Sequence, residues 1–270
     1  FGPTERARKG DAFIVGYMNP LIHDGSRTLD LDVEAAYYTG LNTLPGNQNV
    51  SAEFSKLLSA TAELNFKNME ESLGAVDHEK GYGWNLVGYM DHANGNVFPK
   101  IRGGFDFGFA LPWKHSSVWL YNEAGLSGGN RSNTLANWYF GAFGNNYVDD
   151  GEIKRYREFQ SFPGFEIDQL YAQDFARSIL EWNLPPVRFA ELGLPSFFLS
   201  SARPALFAGV LFTDISDSDY HETYSTLGFQ VDFRFTVAHR QPMTLSVGFA
   251  RGFIDWQEAD DEIMISLKIL

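Results

Sequence analysis

Hydrophobic and polar positions alternate with a period of two along most of this chain. The clearest stretch is Leu227 to Val237. There Leu227, Phe229, Val231, Phe233, Phe235 and Val237 share one side, and Gly228, Gln230, Asp232, Arg234 and Thr236 share the other. A helix would scatter these residues around its circumference, so the stretch reads as a strand with one apolar and one polar face. The same reasoning predicts strands at Ala12–Met18, Leu29–Tyr38, Leu58–Lys67, Gly81–Met90, Phe105–Leu111, Val118–Ala124, Leu135–Phe143, Arg177–Leu184, Ala205–Thr213, Tyr224–Ala238, Met243–Phe253 and Glu262–Leu270. Residues 1–10 read as a polar tail and 11–270 as a single domain. The connections include three long ones on the side of the termini, Thr39–Leu57, Asp91–Gly104 and Pro185–Pro204. Asn145–Phe175 has no sustained alternation, and a loop of that length is uncommon and usually functional.

Which face meets the core decides the class. In a soluble sandwich the apolar face points inward, whereas in a transmembrane barrel it meets lipid and the charges line the interior. The polar faces here carry Asp30, Asp32, Glu34, Glu63, Lys67, Asp106, Asp232 and Arg234, and the apolar faces carry almost no charge. Three successive acids on one face suit a watery lumen better than a packed core. The expected fold is therefore all-β: an antiparallel, up-and-down transmembrane β-barrel of about twelve strands, with the long loop folded into the lumen. Leu227, Phe229, Val231, Phe233, Phe235, Leu245, Val247 and Phe249 are the expected lipid-facing residues.

Composition adds to this. With 24 Phe, 12 Tyr, 6 Trp and 26 Gly, the chain suits aromatic girdles around a small-residue interior. Trp113, Trp119, Trp138, Trp182 and Trp256 fall at or near strand ends, where an interfacial belt would lie. No apolar run reaches the length of a helical span. The absence of Cys excludes disulfides and thiolate metal sites, and a net charge of −13 argues against nucleic acid as a partner. No signal peptide opens the chain at Phe1, which reads as processing or as a piece of a longer protein.

Candidate chemistry is sparse. His115-Ser116-Ser117 has the spacing of the His-x-Ser pair of outer-membrane phospholipase, but sits in a predicted turn beside Lys114 with no Asn evidently placed to orient the imidazole. Asp214, Asp217, Asp219 and Glu222 could bind Ca²⁺, but lack the spacing of an EF-hand loop and read as a solvated acidic turn. No phosphate loop, zinc spacing or catalytic triad is visible, so no enzyme activity, cofactor or metal is expected.

The loop and the five strands after it resemble the carboxy-terminal part of the bacterial surface antigen superfamily, the insertase and translocase barrels of outer membranes. Tyr156-Arg157-Glu158-Phe159 stands where that family has its Arg-Gly-Phe/Tyr loop signature. Leu180-Glu181-Trp182-Asn183-Leu184-Pro185 matches the family's Glu shortly before a Pro, Phe207-Ala208-Gly209-Val210-Leu211 its Phe-x-Asp-x-Gly strand, and Ser225-Thr226-Leu227-Gly228-Phe229 the opening of the next. Glu158 replaces the signature Gly, Gly209 the lumenal Asp and Leu211 the Gly after it, and no aromatic ends the chain. The likeness covers residues 135–270 and implies a short member of the family or a piece of one. It implies an integral protein of a Gram-negative outer membrane that anchors, inserts or translocates a polypeptide or lipid partner, with the lipid bilayer and a second copy of the chain as further expected partners. A diffusion pore or a barrel enzyme of phospholipase type is the alternative. A guanidinium buried in a lumen needs a carboxylate of matching geometry, so Arg157 is expected to pair with Glu181. Phe159, Asp232 and Arg234 complete the expected loop anchor.

Overall fold

The computed structural model describes residues 8–43, 54–75, 77–143, 148–149, 153–194, 196–238 and 240–269. Among the described residues fifteen strands form: β1 (Arg8–Asp24), β2 (Arg27–Thr43), β3 (Lys56–Glu70), β4 (Lys80–Ala93), β5 (Asn96–Ala110), β6 (Ser117–Ser127), β7 (Trp138–Phe140), β8 (Val148–Asp149), β9 (Leu170–Ala172), β10 (Asp174–Asn183), β11 (Val187–Leu194), β12 (Phe197–Thr213), β13 (Glu222–Val237), β14 (Gln241–Ile254) and β15 (Gln257–Ile269). Thirteen share one sheet in the order β1-β2-β3-β4-β5-β6-β10-β12-β13-β14-β15-β8, with β11 also on β12, while β7 and β9 pair separately. The registered pairs of long strands are antiparallel, and the two-residue β8 runs parallel to its neighbour, β15. Among the described residues no helix is long and apolar enough to cross a membrane, which says nothing of strands.

Several expectations change. β1 begins at Arg8, earlier than the strand expected from Ala12, and residues 1–7 lie outside the described residues. Leu135–Phe143 is not a strand of the large sheet: a 3₁₀ turn at Thr134–Ala136 interrupts it, and Trp138–Phe140 forms a short strand paired elsewhere. Asp91–Gly104 is almost entirely strand, because Asn94 and Gly95 adopt positive φ of 51° and 79° and close a two-residue hairpin. Asp255 and Trp256, at φ 47° and 68°, do the same between β14 and β15. Pro185–Pro204 holds β11 and the start of β12. The Pro185-Pro186 pair only breaks β10 from β11, and both strands then hydrogen-bond to β12. Part of Asn145–Phe175, and of Thr39–Leu57, lies outside the described residues.

The chain divides into two compact units. The first comprises residues 1–67, 84–103 and 125–137. In it Phe54, Ala93, Phe98 and Ala136 form a small core. Ser59 Oγ donates to Asp91 at 2.6 Å, and Arg102 donates to Tyr89 and Asn85 at 3.0 and 3.1 Å.

The second unit comprises residues 68–83, 104–124 and 138–270. Its strands are inverted relative to a soluble sheet. Leu227 and Phe229 are 59% and 42% exposed while Gln230 and Asp232 on the opposite face are 0% and 1% exposed. Ile263 and Ile265 of β15 are 74% and 59% exposed, and Ser266 between Ile265 and Leu267 is buried. Val231, Phe233, Phe235, Leu245, Val247 and Phe249 are half-buried on the same apolar face. The polar face is covered by described residues of the chain between Trp138 and β10. Phe143, Tyr156, Ile179, Ala205, Phe207, Ala250 and Met264 pack there, with Tyr156 stacked on Phe207 at 4.2 Å between ring centroids.

Small residues on that face make the space. A Cβ on Gly248 would press on the Phe143 ring at 3.0 Å. At Gly252 it would overlap the carbonyl oxygen of Gly164, itself at φ 91°, so two backbones touch directly. Changing Gly252 to Ala is expected to destabilise the docked segment by about 1–3 kcal/mol, read as faster proteolysis of residues 153–165 at unchanged sheet content.

Candidate functional site

The site grows from the 3₁₀ turn Arg155–Arg157, whose three side chains diverge. Tyr156 enters the aromatic layer. Arg155 donates through Nε and Nη2 to Ser266 Oγ at 3.3 and 3.1 Å and through Nη1 to Glu158 at 2.8 Å. Arg157 meets β10. Its Nε donates to Glu181 Oε2 at 2.8 Å and its Nη2 to Oε1 at 2.6 Å, a two-pronged clasp on a fully buried carboxylate. The period of β10 puts Arg177, Ile179, Glu181 and Asn183 on its covered face, and Asn183 Nδ2 donates to Glu181 as well.

Sequence reasoning missed the second carboxylate. Asp77, from the connection between β3 and β4, accepts from Arg157 Nη2 at 2.7 Å, so one guanidinium ties that connection to the wall. The Tyr121 ring lies 5.4 Å from the guanidinium carbon. Burial works against the charge on Asp77, and the adjacent Arg157 outweighs it, holding the carboxyl below its ordinary range. No local motif marks Asp77; only the pairing of β3 with β4 brings it there.

The other expected anchors separate. Asp232 does not reach Arg157. It accepts from Gln230 Nε2 at 2.6 Å and Ser246 Oγ at 2.7 Å, with Lys154 Nζ 3.5 Å away. Arg234 is exposed and outside the network. Phe159 sits apart in an aromatic cluster, 5.5 to 5.8 Å from the rings of Trp138, Phe140 and Phe175. Arg177 binds the segment's backbone instead, donating from Nη2 to the carbonyls of Tyr156 and Ser161 at 2.8 Å each and of Glu158 at 3.2 Å. Glu262 accepts from the amides of Phe143 and Gly164, each at 3.0 Å.

Of the five tryptophans expected in a belt, Trp113 and Trp256 are exposed, and Trp182 is half-buried with its ring 6.0 Å from that of Trp113. Trp119 and Trp138 are buried, the indole of Trp119 filling the space that a Cβ on Gly108 would occupy. His115 and Ser117 have separate hydrogen-bond partners. His115 Nδ1 lies 2.8 Å from Glu79 and 3.4 Å from Ser72, while Ser117 Oγ accepts from Asn183 at 3.2 Å. Asp214 accepts from the Gln173 amide at 2.9 Å and Asp217 from that of Asp219 at 3.1 Å, and the described residues hold no cluster of three or more metal-ligating side chains.

No family model matches the chain, and no curated protein matches it.

Replacing Glu181 with Gln leaves a buried guanidinium without its full charge partner and is expected to cost about 3 kcal/mol in chemical unfolding. The depressed Asp77 carboxyl contributes stability that is present above its unfolded pKa and lost as pH falls through its lower folded value. Melting should therefore fall more steeply in acid for the native chain than for Asp77→Asn, the difference appearing below about pH 4.

Proposed function

We propose that this chain is an integral outer-membrane β-barrel whose apolar strand faces meet lipid, and that it anchors, inserts or translocates a polypeptide or lipid partner. The observation that carries the membrane reading is the inversion in β13 to β15, where exposed Leu227, Phe229, Ile263 and Ile265 back onto buried Gln230, Asp232 and Ser266. In water such an arrangement would expose the residues that gain from burial and bury those that lose by it. In a bilayer both placements become favourable.

Two features support the narrower reading. The chain resembles the surface antigen superfamily across the loop and the following strands, and the Arg at its signature position, Arg157, clasps the Glu of the next strand, Glu181. The interior of this unit is filled by the pinned segment, which favours a plugged or laterally opening barrel over an open diffusion pore.

The membrane claim is tested at Phe229. Arg at a half-exposed position in water is close to neutral, whereas on a lipid face it costs about 2–4 kcal/mol near the bilayer midplane. We expect Phe229→Arg to impair folding into vesicles by that amount and to abolish heat-modifiable migration. A neutral outcome, with protein that stays monodisperse without detergent, would rule the reading out. Vesicles containing the native chain should accelerate insertion of a second barrel polypeptide; no acceleration would leave anchoring alone.

A further inference from the structure

The connection between β3 and β4, residues 71–75 and 77–79, forms no strand and belongs to the second unit. Four side chains from separate places hold it. Arg157 grips Asp77, His115 meets Glu79 at 2.8 Å, Trp119 Nε1 donates to the His78 carbonyl at 3.0 Å, and Arg188 Nη2 donates to the Gly74 carbonyl. Its tip, Leu73, is fully exposed. Beneath it lies a cavity of about 90 Å³, lined by Asp77 and Glu79 from the connection, Lys154 from the covering segment, and Ser117, Asn183 and Asp232 from the strands.

A cavity of this size with charged and amide walls is roomy and polar enough to hold water. Its cover differs in kind from its walls. Strand ladders carry the walls, whereas the cover is tied to the rest of the unit mainly by side chains, three of them charged or ionisable groups, and so belongs to the low-stability end of the structure. We propose that this connection is a removable strap over a hydrated chamber, and that its release admits small hydrophilic solutes to Ser117 and Asp232 while Arg157 keeps its hold on Glu181. The shared guanidinium makes the order of events definite: the Asp77 arm can let go with the plug still pinned.

The chain has no cysteine, so one introduced thiol reports alone. In detergent, Ser117→Cys should react with a charged methanethiosulfonate at least about tenfold more slowly than Leu73→Cys, and adding Asp77→Asn or Arg188→Ala should raise its rate at least about tenfold. Circular dichroism checks that each variant is folded; should Asp77→Asn unfold, Arg188→Ala, which touches only the outside of the strap, decides. Fast labelling of Ser117→Cys in the otherwise native chain overturns the proposal, as does a rate that neither change moves. Because the readout needs no bilayer, it stands or falls separately from the membrane reading.

Discussion

A sheet that turns its apolar side outward must satisfy its polar side from within the protein. Gln230, Asp232, Ser246, Ser266, Arg177 and Glu181 are all buried, and each buried polar group without a partner would cost about 1–3 kcal/mol. The segment before β10 supplies the partners. Gln230 donates to the Ile153 carbonyl, Thr226 to the Pro163 carbonyl, and Arg177 to the carbonyls of Tyr156, Glu158 and Ser161, so the segment's backbone is solvated by the strands in place of water. Hydrophobic contact is secondary here. Aromatic rings fill what the hydrogen bonds enclose, and glycines at 209, 228, 248 and 252 set how closely they approach.

Arg157 concentrates this dependence. A planar guanidinium offers five donors in a fixed fork, which lets one residue serve Glu181 with two and Asp77 with others, as a compact ammonium could not. Lys154 and Arg155 precede it with separate partners, Asp232 and Ser266, so three basic residues within four positions fan out to three strands and a connection. The short turn is what allows this divergence. An extended segment would alternate its side chains between two faces and leave one set without carboxylates.

The strand faces were legible because period two is a local signal that survives wherever one face is polar. Leu227 to Val237 needed only its own residues. The connections were harder to read. Asn94-Gly95 is a strong hairpin dipeptide, yet Pro99 and the glycines around it obscured the alternation, and Asp91–Gly104 read as loop. Leu135–Phe143 looked like a strand because Trp, Phe and Leu dominate it, but those rings serve buried clusters; apolar content without alternation does not distinguish the two. Glu181 was accessible through its carboxylate on an apolar strand. Asp77 was not, since nothing in residues 71–79 differs from an ordinary polar turn until the fold brings Arg157 beside it.

The covering segment also bears on the order in which the molecule can assemble. Gln230 meets Ile153 across 77 residues of sequence, Gly164 meets Glu262 across 98, Arg155 meets Ser266 across 111 and Phe143 meets Glu262 across 119. Contacts so distant in sequence incur the entropy of closing long loops before they return any stabilisation, which makes them slow. None of them can exist until β13 to β15 are in place, so the segment is made early in the chain and housed late. In the interval its aromatic side chains have no home, and a chaperone that shields residues 138–165 until the last hairpin closes would be shielding the part of this protein most exposed to misassembly.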